Sequence, residues 1–511
     1  MHRSNILNIT HSALKVNAIN RNRAYRRYLA GGLTIAIVLG AAPLAAAKPR
    51  DAVMPPTTET TLRATAAAVR DRAVRGDNVA YTLLESLTTE IGPRPAASSA
   101  MHRASDWAVA QLIALGFENV HREPINMPAW TRGQETAEVT APFPQRLVIT
   151  ALGGSIATPP GGIEAEIALF HSYDDMLAAA PGSLAGKIAV VTQPMPIGGY
   201  GAYYRIRGLG PAEAAQRGAV AYLMRSLATD VRRSPHTGTM TYTPEFSGGV
   251  QRLQAQIPAA ALTAVDAEQL DRMALRGKPI RLRLTLAPTT MPNQLSETVV
   301  GELRGRERPD EIVLIGGHLD SWDLGTGAID DGAGVSITVA AAKLIAALPV
   351  RPARTIRVVL FGAEEVGRSN IAYAAAHQAA EQARIVIAGE CDEGAGHIGA
   401  VRLPAGIAAS PFGLTLARTL APIGAYVDPR PNTDGGGDLE SLVGVPFVSL
   451  QQDGTHYFDY HHTPDDTLDK VDRRDLDQNV AAWAAFTYLA ANTDVDFRKP
   501  PVVAAPAALP R

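Results

Sequence analysis

Glu311–Gly334 reads EIVLIGGHLDSWDLGTGAIDDGAG. It opens on an apolar run, EIVLIG, whose continuous hydrophobicity is that of a strand buried on both faces. It closes on a small-residue turn into Gly334–Leu348 (GVSITVAAAKLIAAL), a stretch long and apolar enough for a buried helix. Between them stand His318, Asp320, Asp330 and Asp331. A strand, a polar loop and a helix make the first part of a βαβ unit. In open α/β sheets the crevice at the carboxyl ends of the strands is where ligands bind.

The same rhythm continues downstream. Thr355–Gly362 (TIRVVLFG) reads as a strand, Ser369–His377 as a helix and Ala383–Ala388 (ARIVIA) as a strand. Helix Gly413–Leu420, strand Pro446–Leu450 and helix Asp475–Leu489 follow. Nearly continuous apolar strands between helices predict a three-layer αβα sandwich around a mixed, parallel-rich sheet. Upstream, Asn78–Phe117 has helical periodicity broken by the loop IGPRPAASSA (Ile91–Ala100), and Gly116 ends the helix Ala104–Leu115. Phe117–Arg122 reads as a strand.

Residues 126–290 change character. Short β-like runs (Arg146–Thr150, Ile163–Leu169, Lys187–Thr192) alternate with Gly/Pro turns, and Ser226–Gly249 has no clear period. No ligand cluster falls there, which predicts an inserted β-rich module. The expected division is 1–47 signal peptide, 48–125 and 291–495 the two parts of the main α/β domain, 126–290 the insert, and 496–511 a disordered tail rich in Pro and Ala.

His318, Asp330, Glu365, Asp392 and His462 each follow an expected strand or lie in the loop beyond it. Taken singly, such residues are ordinary: Asp-Asp-Gly is a common turn or cap, and Glu-Glu before a helix complements its dipole. Their convergence on one edge of one sheet is not ordinary. Two His and three carboxylates suit zinc. If one carboxylate is shared, the set holds two ions, each with one His and one private carboxylate. Glu364, beside Glu365, is free to serve as a base, so the arrangement points to metal-assisted hydrolysis.

The strings GGHLDSWDLGTGAIDDGAG (Gly316–Gly334), FGAEEVG (Phe361–Gly367), GECDEG (Gly389–Gly394) and YHHTPDDTLDKVD (Tyr460–Asp472) resemble the M28 family of di-zinc exopeptidases, nearest its carboxypeptidase Q branch. LAGKIAVV (Leu184–Val191) and GPAEAAQRGAVAYLM (Gly210–Met224) resemble the protease-associated domain inserted in that branch. The resemblance implies that Asp330 bridges two zinc ions. His318 and Asp392 would complete one site, and Glu365 and His462 the other. Glu364 would be the general base and Asp320 the carboxylate that orients the ligand His. Spacing to Asp466-Thr467 favours His462 over His461. Tyr460 would assist the oxyanion. In NTDGGGDLESLVGVP (Asn432–Pro446), either Asp434 or Asp438 would take the polar role. The implied substrates are dipeptides or short peptides, and a homodimer is a further implication. Two rivals are a glutaminyl-cyclase-like zinc transferase and a non-catalytic peptide-binding protein on the same fold. The full ligand set and the retained Glu364 argue against both.

Composition narrows the partners. A net charge of −2 over 511 residues gives no electrostatic reason to bind nucleic acid. One cysteine, Cys391, excludes an intrachain disulfide. Arg21, Arg23, Arg26 and Arg27 precede the apolar Tyr28–Ala47 (YLAGGLTIAIVLGAAPLAAA), which predicts a secretory signal peptide and a periplasmic or extracellular destination. No membrane association is expected after cleavage; the alternative is an uncleaved anchor over residues 28–47.

Overall fold

In the computed structural model the described residues are 59–240 and 256–499. The expected signal peptide, the alternative anchor and residues 500–511 lie outside them. Among the described residues no helix is long and apolar enough to cross a membrane.

The sheet that carries the site has five strands: β1 (Glu118–Thr131), β2 (Thr289–Leu303), β3 (Arg308–His318), β4 (Arg354–Phe361) and β5 (Ile385–Glu390). Their order is β1-β2-β4-β3-β5. The β1–β2 and β2–β4 pairs are antiparallel, whereas β4–β3 and β3–β5 are parallel. The sheet is therefore mixed, and parallel in the half where β3, β4 and β5 end together. A parallel bridge from Ala388 to Phe447 extends that half.

The uninterrupted apolar character of β3 has its reason in the layers on either side. Val313 and Ile315 pack into the core formed with helices α1 (Glu59–Val74), α2 (Ala80–Ser86), α3 (Ser99–Leu115), α4 (Ala333–Ala346), α6 (Pro411–Leu420) and α7 (Arg473–Asn492). Ile312 and Leu314 face the opposite layer, with Tyr373 of α5 (Ser369–Ala376), Leu439 and Leu442. All four strand residues are fully buried, so alternation has no solvent side to report. Helix α3 begins at Ser98, whose hydroxyl accepts from Met101 N, and stops at Gly116 with φ 88°.

Two boundaries differ from expectation. The first strand continues past Arg122 to Thr131, paired with β2 from Glu118↔Glu302 to Thr131↔Thr289. Asp496–Lys499 is not a loose tail: Phe497 is 1% exposed and its ring meets Phe412 edge-on at 5.0 Å. One aromatic side chain holds what a Pro/Ala-rich composition would leave free.

The chain between the ends of β1 and β2 builds a second sheet. Its eight strands run in the order Gln145–Leu147, Glu135–Ala141, Arg281–Leu286, Ile163–Phe170, Ile188–Val191, Ala221–Arg225, Ala259–Leu262 and Ile149–Ala151. They enclose an apolar core of their own, with Val139, Ile167, Val190, Leu223 and Leu270.

Candidate metal centre

His318 is the last residue of β3 and pairs with Phe361, the last residue of β4. Glu364 and Glu365 follow β4, and Asp392 follows β5. Three adjacent parallel strands thus deliver their next residues to one place. Asp330 comes from the turn before α4. Its neighbour Asp331 accepts from His318 N (3.0 Å) and from Gly334 N (2.9 Å), tying the end of β3 to the start of α4. The closeness requires glycine: a Cβ on Gly334 would lie 1.8 Å from Cys391 O, and one on Gly317 2.3 Å from Asp331 Oδ2. The Asp330–Asp331 peptide is cis.

All five expected ligands meet. His318 Nε2 is 2.9 Å from Asp330 Oδ1 and 3.2 Å from Asp392 Oδ1. His462 Nε2 is 3.1 Å from Asp330 Oδ2 and 2.9 Å from Glu365 Oε2. The two oxygens of Asp330 therefore face two different His–carboxylate pairs, and each trio is compact enough to hold a cation. Glu365 Oε1 is buried without a hydrogen-bond donor, and Asp330 Oδ2 and Asp392 Oδ1 are buried with only the His rings to meet them. Orphaned carboxylate oxygens are costly to bury, and a divalent ion would satisfy them.

The electrostatics agree with the donor set. Burial disfavours a proton on His318, but Asp392, Asp320 and Asp330 reverse this and hold its pKa well above the usual value. Burial likewise opposes protonation of His462, yet Glu365 and Asp330 raise it to about 9. Burial lifts Glu365 to about 7 against the pull of His462. A cluster this eager for protons is one in which cations can replace them. Glu364 is half-buried on the cleft; burial first, and then the carboxylates of Asp392, Glu365 and Glu390, push its pKa well up, against the opposing pull of His318.

The remaining candidates sort by position. His318 Nδ1 is 3.0 Å from the Asp320 carbonyl and 3.7 Å from its carboxylate, whose Oδ1 instead accepts from Glu364 N at 3.1 Å. Asp320 thus contacts the His through its backbone and the Glu through its side chain. Asp438 is 1% exposed, accepts from Ser369 and donates its N–H to Glu390; Asp434 is exposed and caps Gly436. Of the two, Asp438 is the buried one. Tyr460 is misplaced for an oxyanion: its hydroxyl accepts from Arg232 at 3.1 Å, in a side groove away from the cluster. The short helix Tyr457–Tyr460 turns Tyr457 toward the cleft instead, opposite Tyr200 and Tyr204. Cys391 is buried and free in the main apolar core, beside Trp483 and 3.7 Å from the amide of Gln452.

Several supports carry no motif. Arg94, fully buried, donates to the carbonyls of Leu319, Thr326 and Gly327 and so shapes the loop between His318 and Asp330. Asp466 accepts from Ala328 N (2.8 Å) and Ile329 N (2.6 Å) beside Asp330. His462 sits at φ 59°, a left-handed conformation unusual outside glycine and frequent at functional sites. Its Nδ1 lies 3.3 Å from both Thr237 O and Arg207 Nη1, across 255 positions in the latter case. Region 126–290, in which the sequence shows no ligand cluster, thus reaches the ring of His462 through Arg207 and Thr237. His236, His461 and His462 also approach closely enough to share an ion. His236 is spent elsewhere: Arg207 can only donate to its Nε2 (2.9 Å), so its Nδ1–H donates to His461 O (2.9 Å).

A shared aspartate between two His–carboxylate pairs, at the carboxyl edge of a three-layer α/β sheet with a free glutamate alongside, defines a metal-dependent hydrolase. The family follows from comparison. The sequence profile of peptidase family M28 matches residues 298–487. Carboxypeptidase Q of Bos taurus is 36% identical over 429 residues, covering 82% of this chain and 87% of the relative. A peptidase M28 precursor from Shewanella amazonensis SB2B is 43% identical with a TM-score of 0.82, covering 87% of this chain and 100% of that one. The zinc aminopeptidase BSAP from Bacillus subtilis shares the fold at 21% identity, with a TM-score of 0.59 over 81% of this chain and 94% of its own. The chain belongs to peptidase family M28, and it is a metallo-exopeptidase.

Proposed function

We propose that the protein is a two-zinc exopeptidase that hydrolyses dipeptides or short peptides. The observation that carries the two-ion reading is Asp330, whose oxygens face separate His–carboxylate pairs. In this reading His318 and Asp392 hold one zinc, Glu365 and His462 the other, and Asp330 both. The two relatives named for what they are, a carboxypeptidase and a zinc aminopeptidase, support the metal and the exopeptidase class. Bound zinc supplies Lewis acidity, polarising a scissile carbonyl and lowering the pKa of a coordinated water.

The chain's own residues do the rest. Glu364, its backbone fixed by Asp320, takes the proton of the attacking water. Its raised affinity for a proton favours holding that proton until the leaving amine collects it. Tyr200, Tyr204, Tyr457 and Phe458 wall a cleft of about 540 Å³ around the cluster. A walled cleft accepts a chain end more readily than a continuous chain, which favours exopeptidase action. Residues 126–290 would be the inserted protease-associated domain that supplies part of this wall, and residues 1–47 the signal for export.

The test is a panel of free and end-blocked peptides assayed after chelation and zinc addition. Free dipeptides should be cleaved only with metal restored. Cleavage of a long, doubly blocked peptide at a comparable rate would overturn the exopeptidase reading. Full activity after complete metal removal would overturn the metal.

A further inference from the structure

A second cavity, of about 720 Å³, lies directly beside the cleft, since Thr239, Met240, Glu365 and Val366 border both. Its volume falls in the range of sites that engulf small ligands. The walls come from three parts of the chain: Met127 and Trp130 of β1, Trp322 from the loop after β3, and Ile156 and Met240 from the second sheet's connections. Arg132 and Asp323 also line it, but they are paired with each other at 2.7 and 2.6 Å. Arg368 stands exposed at the mouth. The lining is therefore largely apolar and aromatic, and its charged groups besides the Arg132–Asp323 pair are Glu365, shared with the cluster, and Arg368 at the mouth.

Trp322 links this cavity to the cluster. Its ring is 5.8 Å from that of His462 and 6.3 Å from that of Trp130, the latter edge-on. The residue is 8% exposed and its Nε1–H has no acceptor. The indole is held in place from the second sheet's side: a Cβ on Gly153 would fall 2.1 Å from Trp322 Cη2. Glycine there leaves the room that the ring occupies.

We infer that this cavity is the recognition pocket for a large apolar or aromatic side chain on the substrate residue next to the scissile bond. The inference rests on the peptidase reading above and adds the side-chain class to it. A peptide carbonyl near the cluster places its own side chain within reach of Trp322. Arg132 and Asp323 are engaged with each other and Glu365 belongs to the cluster, so an Asp or Lys side chain would be desolvated against mainly apolar walls, which is costly.

Two measurements test it. The first is kcat/KM for dipeptides of the forms X-Ala and Ala-X, with X as Phe, Leu, Ala, Asp or Lys. Phe or Leu should exceed Ala and Asp by about tenfold or more at one of the two positions. In Trp322→Ala and in Gly153→Ala, whose added methyl crowds the indole from the pocket wall, that ratio should collapse to about threefold or less. The second is binding to the Glu364→Gln protein by calorimetry, which needs no turnover. Phe dipeptides should bind about tenfold more tightly than Ala dipeptides, and Trp322→Ala should erase the difference. A flat or acidic preference, or a Phe preference intact in both pocket variants, overturns the pocket. So does equal affinity for Phe and Ala peptides, including no binding of either. Failure of the peptidase reading looks different: no peptide is cleaved, while the binding contrast remains.

Discussion

Glu364 and Glu365 are adjacent, yet their replacement by Gln should have opposite signatures. The Glu364 side chain lies on the cleft and is not within reach of either His in the cluster. Glu364→Gln keeps the shape but cannot take a proton from water. General-base catalysis is worth about 10²- to 10⁴-fold, or roughly 3–5 kcal/mol of barrier at 1.36 kcal/mol per decade. The variant should lose that much in kcat and retain its metal. Glu365 places Oε2 2.9 Å from His462 Nε2 and leaves Oε1 buried without a donor. An amide there removes a charge from one trio and buries an unpaired NH₂ at a cost of about 1–3 kcal/mol. Metal affinity at that half should fall beyond the roughly 10- to 100-fold typical of losing an outer partner. Metal per chain, measured after dialysis against a mild chelator, and kcat on a free dipeptide separate the two. Equal metal loss in both variants, or metal-replete Glu364→Gln with nearly normal kcat, would refute the reasoning.

Arg207→Lys should lower metal affinity about 10- to 100-fold, because one nitrogen, Nη1, touches both His236 and His462 and the Lys side chain ends one atom short of it; unchanged affinity would detach the second sheet from the site. Phe497→Ala should cost about 3–5 kcal/mol in denaturant unfolding, and a loss under about 1 kcal/mol would restore the expectation of a free tail. Cys391→Ala should keep kcat within a few-fold, since the thiol is packed in the core beside Gln452 and Trp483; a loss like that of Glu364→Gln would implicate it in the chemistry. Glu123 lies between His121 (3.2 Å) and His377 (2.9 Å), whose hydrogen bonds overcome the effect of burial and hold its pKa at about 2, while both His are raised. Its stabilisation is present above the unfolded carboxylate value near 4.5 and lost as pH falls toward 2. The His contribution is present below about 6.5 and lost as pH rises through their raised values. Glu123→Gln should therefore destabilise most near pH 5–6; a pH-independent difference in unfolding free energy would contradict the coupling.

The sequence made legible what repeats along the chain or clusters at strand ends. The ligands His318, Glu365 and Asp392 could be placed because β3, β4 and β5 are continuous apolar runs whose ends are easy to read. The chemistry of Asp330 and His462 was legible in residue type, although their loops have no period. Arg207 and His236 were not, since an isolated Arg or His in a region without ligands resembles any other, and only folding brings Arg207 to His462; Trp322 lies between His318 and Asp330, but no spacing marks it as part of a pocket. Arg94 sat in a stretch legible only as a loop; its role as a buried clamp depends on carbonyls more than 200 positions away. Tyr460 was misplaced because one turn of helix decides which of Tyr457 and Tyr460 faces the cleft. Phe497 was hidden by the composition around it.

The central claim is a pair of metal ions sharing Asp330. Diffraction from crystals of the zinc-loaded protein, collected at the zinc absorption edge, tests it most directly. The account predicts two anomalous peaks about 3.5–4 Å apart, flanking the Asp330 carboxylate, one beside His318 and Asp392 and the other beside Glu365 and His462. A single peak, or a peak centred instead among His236, His461 and His462, would contradict it.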